Sequence, residues 1–308
     1  MNQLAPIKAV MATDRGRVRD HNEDFIVCQE PDNVEEEDSR GWVYIVADGV
    51  GGADAGEVAS EYASGQTLAH YLEATDTHYG RRMVEAMQAA NTDLRRLVAT
   101  RNDGKRMATT MVATVVSDGH AYVANVGDSR AYHWRNKDLT QVTKDQSLVA
   151  KLVEEGAITE EEAANHPHRN VILFSIGSET TPQIDLYELS LAIGDKIFLC
   201  SDGLTRHVSD EEICTILEKQ DLESAADQLI QLANDRGGQD NISVAIINYG
   251  TADAEANQAE QTVRVIMPAQ PDRTEDVPLN HTFLLPYTLF LAIVETALIM
   301  LAWLLLRV

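Results

Sequence analysis

Short β-rich runs, each closed by a turn of Asp and Gly, constrain this chain more than any other feature. The clearest are WVYIVADG at 42–49, KIFLCSDG at 196–203 and the central block TTMVATVVSDGHAYVANVGDSRAY. Such runs predict strands and their Asp-Gly steps predict tight turns, so the central block is expected to form a hairpin pair. Helical periodicity appears in EVASEYASGQTLAHYL, RRMVEAMQAANTDLRRLVA and LESAADQLIQLANDR. Because strands and helices come in clusters, the pattern favours an α+β fold with antiparallel sheets covered by helices.

The charge balance argues against a nucleic-acid partner. The 308-residue chain has a formal net charge of −24, and no basic stripe offsets it locally. A surface of this sign repels a phosphate backbone.

The three cysteines, Cys28, Cys200 and Cys214, are widely spaced and form no CxxC pair. They indicate neither a disulfide framework nor a thiolate metal site, which suits a reducing compartment.

The C-terminal end carries an almost uninterrupted apolar run, FLLPYTLFLAIVETALIMLAWLLL at 283–306, broken only by Glu295. Counted from Pro286 it has 21 residues, which span about 31 Å as a helix against roughly 30 Å of bilayer hydrocarbon. The run therefore predicts one transmembrane helix. A buried core helix is the alternative, although core helices of this length usually keep a polar face.

The segment before this run predicts a tether. Residues 250–282 are polar, contain proline and lack sustained periodicity. We therefore expect a globular domain at 1–249, a linker at 250–282 and a transmembrane helix at 283–306. The N-terminus has no apolar segment of signal-peptide length, so we expect the globular domain in the cytosol, anchored to the cytoplasmic membrane by its C-terminal helix.

Acidic residues recur where predicted strands meet turns. Asp48 follows YIVA, Asp202 follows IFLCS, and Asp240 precedes ISVAII. A single Asp beside Gly is usually a turn residue, but several of them together with Glu23 and Asp24 of RVRDHNED are harder to explain that way. If these side chains converge, their repulsion requires a hard divalent cation. Oxygen ligands of this kind suit Mg²⁺ or Mn²⁺ better than zinc.

Six motifs together resemble a known family. They are RVRDHNED, VADGVGG, MATT, GDSRAY, CSDGL and GGQDNISV. Their order is that of the metal-dependent Ser/Thr protein phosphatases of type 2C (PPM family), bacterial branch, and the resemblance runs from about Thr13 to Asn248. It implies a central sandwich of two antiparallel β-sheets flanked by helices on both sides, with a two-metal centre at one edge. It also implies hydrolysis of phosphoserine and phosphothreonine in proteins, opposing a eukaryotic-like kinase.

The resemblance also assigns roles by motif position. Asp48 would bridge two Mn²⁺ or Mg²⁺ ions, the carbonyl of Gly49 would complete one coordination sphere, and Asp202 and Asp240 would be further ligands. Glu23 and Asp24 would orient metal-bound water, with Asp24 outside the inner sphere. Asp128 of GDSR, with Asp202, would hold a third metal. Arg19 would offer the substrate phosphate a fixed guanidinium fork.

The sequence departs from the family pattern near the substrate. Val50 stands where eukaryotic relatives often carry a histidine as general acid. The segment at about 145–180 resembles the bacterial flap beside the active site, and its residues His166 and Arg169 are expected to contact the substrate protein. Gln146 stands where His is common in that flap, and LFSIG replaces an Arg-containing stretch. These departures bear on substrate preference more than on catalysis.

Three other functions compete with a metal-dependent protein phosphatase. CSDGLTR, from Cys200 to Arg206, has the Cys-x₅-Arg spacing of thiolate phosphatases, but Asp202 would place a negative charge inside the phosphate cradle. A catalytically silent relative acting as a regulatory binding module would usually lose a metal carboxylate, whereas Asp48, Asp202 and Asp240 are all present. A small-molecule phosphoesterase would use the same metals on a different substrate.

Overall fold

The computed structural model describes residues 7–51, 55–101, 106–250 and 264–266. The chain divides into two units, Met1–Pro268 and Ala269–Val308, and every described residue lies in the first. Within the described ranges no helix is long and apolar enough to cross a membrane. The predicted span at 283–306 lies outside these ranges, as does the predicted linker except for residues 250 and 264–266.

The described residues form two six-stranded sheets. The strands are β1 (Ile7–Asp14), β2 (Asp24–Gln29), β3 (Trp42–Val50), β4 (Ala108–Thr109), β5 (Met111–Ser117), β6 (His120–Val126), β7 (Arg130–Arg135), β8 (Asp138–Gln141), β9 (Asp185–Ser190), β10 (Asp195–Cys200), β11 (Ile242–Tyr249) and β12 (Arg264–Ile266). One sheet has the order β12-β1-β11-β10-β7-β8, and the other β2-β3-β5-β6-β9 with β4 beside β3. Every pairing is antiparallel except that of β12 with β1.

The described residues contain eight helices, of which the longer ones cover the outer faces of the sheets. They are α1 (Val34–Arg40), α2 (Ala55–Glu73), α3 (Tyr79–Arg101), α4 (Leu148–Glu154), α5 (Glu160–Ala164), α6 (Asp202–Thr205), α7 (Asp210–Lys219) and α8 (Leu222–Asp235). α2 and α3 pack on the sheet that contains β3, and α7 and α8 pack on the sheet that contains β10. The architecture is thus the predicted antiparallel sandwich with helices on both sides.

Both faces of the central strands are buried, which explains why their sequences are apolar without a polar face. In β3, Ile45 packs toward α2 and α3, whereas Tyr44 and Val46 pack between the two sheets. In β10, Leu199 faces the space between the sheets and Phe198 faces α7 and α8. Alternate side chains of one strand point to opposite faces, so a continuous apolar run fills two core layers at once.

The three predicted long helices are confirmed as α2, α3 and α8, each within two residues of the sequence pattern. The central block forms one hairpin, β5 to β6, closed at Asp118 and Gly119, which both have positive φ. The expected second hairpin within the block is wrong, because β7 leaves this sheet and pairs with β10 and β8 in the other. GDSR is therefore a crossover between sheets.

One strand lies inside the segment predicted as a tether. Residues Arg264–Ile266 pair in parallel with Val10, Met11 and Ala12 of β1. These three residues extend the sheet at its β1 edge, so the stretch after Tyr249 is not uniformly a linker. The remaining bounds of the linker stay a prediction.

We expect Phe198→Ala to destabilise the protein by about 3–5 kcal/mol, the usual cost of deleting a buried aromatic side chain. Phe198 is fully buried and packs beside the Tyr132 ring, with 6.0 Å between the ring centroids. Urea unfolding measures the change in the free energy of unfolding. Ile193→Ala, at a side chain 77% exposed, is the control and should change it by no more than about 0.5 kcal/mol.

Candidate metal centre

Carboxylates from both sheets meet at one edge of the sandwich. Asp24 opens β2 and lies directly opposite Asp48 near the end of β3. Asp202 follows β10 and Asp240 precedes β11, and these two strands are neighbours in the other sheet. A hydrogen bond joins the two sides, since the Ser201 hydroxyl donates to Asp24 Oδ2 at 2.7 Å. Asp48 lies close enough to Asp24, Asp202 and Asp240 to be repelled by each of them, and the roles of these residues as metal ligands stay a prediction.

The backbone around Asp48 is held by the two threonines of MATT. The Asp48 carbonyl accepts from Thr110 N at 2.9 Å and from the Thr109 hydroxyl at 2.8 Å. The Thr110 hydroxyl also lies 2.8 Å from the Ser129 hydroxyl of GDSR. MATT and GDSR are therefore buried braces that fix the position of Asp48.

Gly49 fits where no other residue would. A Cβ at this position would lie 2.2 Å from the carbonyl oxygen of Gly56, far inside van der Waals contact. Gly49 N donates to the Glu23 carbonyl at 3.0 Å, which ties the end of β3 to the opening motif. The close approach of β3 and α2 explains the glycine, and it leaves the predicted role of the Gly49 carbonyl as a metal ligand untested.

Asn241 organises the loop that carries Arg19, a role that none of the sequence motifs predicts. Its amide nitrogen donates to the carbonyls of Arg15 at 2.8 Å and His21 at 2.9 Å. Its Oδ1 accepts from Glu23 N at 2.7 Å. One buried amide thus joins the Asp240 loop to RVRDHNED. Its position beside Asp240 in QDN was the only signal in the sequence.

Burial, with repulsion between neighbours as a smaller cause, makes these carboxylates harder to ionise. Burial, followed by repulsion from Asp24 and Asp202, holds the pKa of Asp48 well above its ordinary value. Burial raises the pKa of Asp24 to about 7, although hydrogen bonds from Ser243 and Ser201 act to lower it. Burial raises the pKa of Asp128 to about 8, with a smaller contribution from Asp202. Burial also raises the pKa of Asp202, although Arg206 opposes it.

The donor set fits divalent cations. Asp24 Oδ1, Asp128 Oδ1 and Asp202 Oδ1 are buried and have no hydrogen-bond partner in the described chain. Buried carboxylate oxygens without partners are costly unless a cation balances them. In the described residues, however, no three acidic, His or Cys side chains share one coordination point. Metal binding therefore requires the carboxylates to rearrange around the ions.

Two guanidinium groups form ion pairs with the carboxylates in this structure. Arg19, predicted to bind phosphate, is 2.9 Å from Asp240 Oδ1 and 3.8 Å from Glu23 Oε2, with 45% of its side chain exposed. Arg206 pairs with both Asp202 and Asp240. In the sequence, Arg206 stands out only as the last residue of the Cys-x₅-Arg spacing. Its spacing of four residues from Asp202 on α6 is the signal that could have placed it here.

The thiolate alternative conflicts with the position of Cys200. The side chain is fully buried in the core layer beneath α7 and α8, with Phe198 and Val244 in the same cluster. Burial raises the pKa of this thiol far above its ordinary value, so the thiolate is strongly disfavoured. Arg206 points to the carboxylates and not toward a sulfur-centred cradle.

Gln146 of the flap has a bracing role. It is buried, its Oε1 accepts from Gly127 N at 2.9 Å and its Nε2 donates to Asp185 Oδ2 at 2.8 Å. These bonds fix the backbone just before Asp128. Gln146, at a position where histidine is common in the family, therefore supports the backbone of the GDSR turn.

His166 and Arg169 lie in a turn after α5, with His166 partly and Arg169 fully on the surface. The contacts seen for them stay within that turn and α5: His166 N donates to the Ala163 carbonyl, His166 Nδ1 accepts from His168 N, and Arg169 N donates to the His166 carbonyl. The structure does not bring these two residues to the carboxylates, and their predicted contact with the substrate protein remains untested.

Comparison with known proteins places this site in a family. The family model described as "Protein phosphatase 2C" matches residues 18–245. The chain is 38% identical over 246 residues to the serine/threonine phosphatase stp of Listeria monocytogenes, covering 78% of this chain and 94% of that protein. The chain belongs to the protein phosphatase 2C family.

Solved structures agree with this assignment. The serine/threonine phosphatase PstP/Ppp of Mycobacterium tuberculosis superposes with a TM-score of 0.69 at 35% identity, covering 80% of this chain and 99% of that one. The catalytic domain of a PstP phosphatase in complex with two manganese ions gives a TM-score of 0.68 at 33% identity, with the same coverage of both chains. The predicted family and the predicted sandwich of antiparallel sheets with flanking helices are confirmed, whereas the transmembrane helix stays a prediction.

We expect Asp48→Asn to raise the melting temperature of the protein in EDTA, because it removes one charge from the repelling cluster. A carboxyl whose pKa is raised on folding binds extra protons in the folded state, so stability falls as pH rises from its ordinary 3.8 toward the folded pKa of about 7 for Asp24 and about 8 for Asp128. The gain from Asp48→Asn should therefore be larger at pH 8 than at pH 5.

Thermal melts with EDTA and with Mn²⁺ measure both effects. Mn²⁺ should stabilise the wild-type protein more than Asp48→Asn, since the variant has lost a bridging charge. Asp227→Asn, an exposed change on α8, is the control and should follow the wild-type protein. An Asp48→Asn protein that is less stable in EDTA at pH 8 and equally stabilised by Mn²⁺ would contradict the metal centre.

Proposed function

We infer that this protein is a metal-dependent phosphatase that hydrolyses phosphoserine and phosphothreonine in proteins. One observation carries this function most directly. The carboxylates of both sheets converge at one edge, with the half-exposed guanidinium of Arg19 at their rim. A phosphate dianion needs a cationic partner to approach such an acidic site, and arginine is well suited to it. The related proteins of Listeria and Mycobacterium are serine/threonine phosphatases.

We propose that Asp48, Asp202 and Asp240 hold two divalent ions, and that Asp128 with Asp202 holds a third. Manganese is favoured because a PstP phosphatase structure contains two manganese ions; Mg²⁺ offers the same oxygen chemistry. When bound, the metals acidify water for attack on phosphorus and neutralise charge on the phosphoryl group.

The chain's own residues would orient the substrate. Arg19 binds the phosphate oxygens and aligns phosphorus with the metal centre. Asp24, held by the hydroxyl of Ser201, lies beside the inner ligands and orients water with Glu23. Val50 has no titratable group, so the proton for the departing serine or threonine comes from another group or from solvent. His166 and Arg169 of the flap would contact the substrate protein.

Two alternative functions remain to be separated from this one. A catalytically silent binding module is disfavoured by the presence of Asp48, Asp202 and Asp240 together. A small-molecule phosphoesterase would share the metal centre and differ only in substrate. The related phosphatases favour a protein substrate.

We expect the full-length protein with Mn²⁺ to hydrolyse a phosphothreonine peptide well and a nucleotide poorly, as release of inorganic phosphate will show. EDTA should abolish hydrolysis. Cys200→Ser should keep activity within a few-fold, because the buried thiol takes no part in a metal-dependent attack. Preference for the nucleotide would favour the small-molecule function, and a folded but inactive Cys200→Ser protein would revive the thiolate mechanism.

We also propose that residues 283–306 anchor the protein in the cytoplasmic membrane, with the phosphatase domain in the cytosol. Support comes from the length and apolar character of the run. Anchoring raises the effective concentration of the enzyme toward membrane-bound phosphoproteins. A membrane-resident eukaryotic-like kinase is therefore the proposed antagonist.

Cell fractionation checks the anchor. The full-length protein should pellet with membranes and resist extraction by salt, whereas a chain truncated after Pro268, which keeps β12, should stay in the supernatant. Full-length protein that stays in the supernatant without detergent would contradict the anchor and leave the phosphatase activity untouched.

A further inference from the structure

Arg206 lies among the carboxylates with a geometry that the metal centre does not explain. It follows Thr205 at the end of α6, and its side chain is 25% exposed. Its Nη1 donates to Asp240 Oδ2 at 2.9 Å and its Nη2 donates to Asp202 Oδ2. Asp202 and Asp240 are both proposed as metal ligands, so Arg206 and the metal ions would compete for the same oxygens.

Arg19 and Arg206 converge on one atom. Arg19 Nη2 donates to Asp240 Oδ2 at 3.0 Å, and Arg206 Nη1 donates to that same oxygen at 2.9 Å. The two guanidinium groups come from separate loops, one before β2 and the other after β10. Groups that share one carboxylate oxygen are also close enough to bind two oxygens of a single phosphate.

Metal binding would release both guanidinium groups from these carboxylates. Asp202 and Asp240 would hold a dication with the carboxylate groups that Arg206 now contacts. The backbone of Arg206 is fixed by its hydrogen bond to the Asp202 carbonyl at 3.0 Å, so the side chain must find its next anion close by. The substrate phosphate, already expected at Arg19, is the anion that enters this space.

We propose that Arg206 is a second ligand of the substrate phosphate, acting beside Arg19 once the carboxylates have taken up metal. The inference rests on the phosphatase function and deepens it, because two guanidinium forks on one phosphate select a dianionic monoester over a diester. In the metal-free protein the same side chain neutralises Asp202 and Asp240.

Binding of inorganic phosphate to the Mn²⁺-loaded, full-length protein in detergent tests this role without requiring turnover. Calorimetry on the wild-type protein, Arg206→Gln and Arg206→Lys measures the phosphate dissociation constant. A charged hydrogen bond contributes roughly 1.5–3 kcal/mol, so Arg206→Gln should weaken phosphate binding at least about tenfold. The phosphate dissociation constant of Arg206→Lys should lie between those of the wild-type protein and Arg206→Gln, since lysine keeps the charge and loses the planar fork.

A second titration adds Mn²⁺ to the metal-free proteins and measures the Mn²⁺ dissociation constant. It distinguishes a role of Arg206 in phosphate binding from a role in neutralising Asp202 and Asp240. Arg206→Gln should bind Mn²⁺ at least as tightly as the wild-type protein, because it removes a competitor from Asp202 and Asp240. Arg96→Gln is the matched control: its guanidinium is exposed and pairs with Asp93 on α3. This variant should leave both dissociation constants unchanged.

Two results would overturn the proposal. One is wild-type phosphate affinity in an Arg206→Gln protein that binds Mn²⁺, which would limit Arg206 to charge balance. The other is loss of Mn²⁺ binding in Arg206→Gln. If that variant shows no melting transition, Arg206→Lys carries the test, and wild-type affinity there would overturn the proposal. Phosphate binding that depends on Arg206, without hydrolysis of phosphopeptides, would instead refute the phosphatase function alone.

Discussion

Repulsion among carboxylates at the edge of the sandwich is the constraint on which this site depends. Asp24 and Asp48 come from one sheet and Asp202 and Asp240 from the other, and packing the sheets face to face brings them together. Burial, with repulsion from the neighbouring carboxylates as a smaller cause, raises the pKa of both Asp24 and Asp48. The protein tolerates this arrangement because the core layers between and outside the sheets fix the strands that carry these residues.

The same constraint accounts for the polar residues around the site. Thr109 and Thr110 hold the backbone of Asp48, Asn241 holds the Arg19 loop against the Asp240 loop, and Gln146 holds the turn before Asp128. Each brace spans segments that are distant in sequence. Side chains that repel one another stay in place only if the backbone beneath them is rigid, and such braces supply that rigidity.

The strands and the carboxylates could be predicted because their signals are local. An apolar run ending at Asp48 or Asp202 shows both the strand and the residue at its end, and the motif order then identifies the family. Arg206 was missed because its meaning depends on its position relative to Asp202 and Asp240 in space. The passage of β7 to the other sheet was missed because GDSR looks locally like a hairpin turn. β12 has only three residues, and the free edge of β1 decides its pairing.

The central claim is that the carboxylates of the two sheets form one metal centre, and diffraction tests it most directly. Crystals of the full-length protein grown with Mn²⁺ and measured near the manganese absorption edge should show at least two anomalous peaks, bridged by Asp48 and in contact with Asp202 and Asp240. The guanidinium of Arg206 should then have left both aspartates. Crystals grown at a saturating Mn²⁺ concentration could instead show no anomalous peak near Asp48, with Arg206 still paired to Asp202 and Asp240. That result would contradict the account.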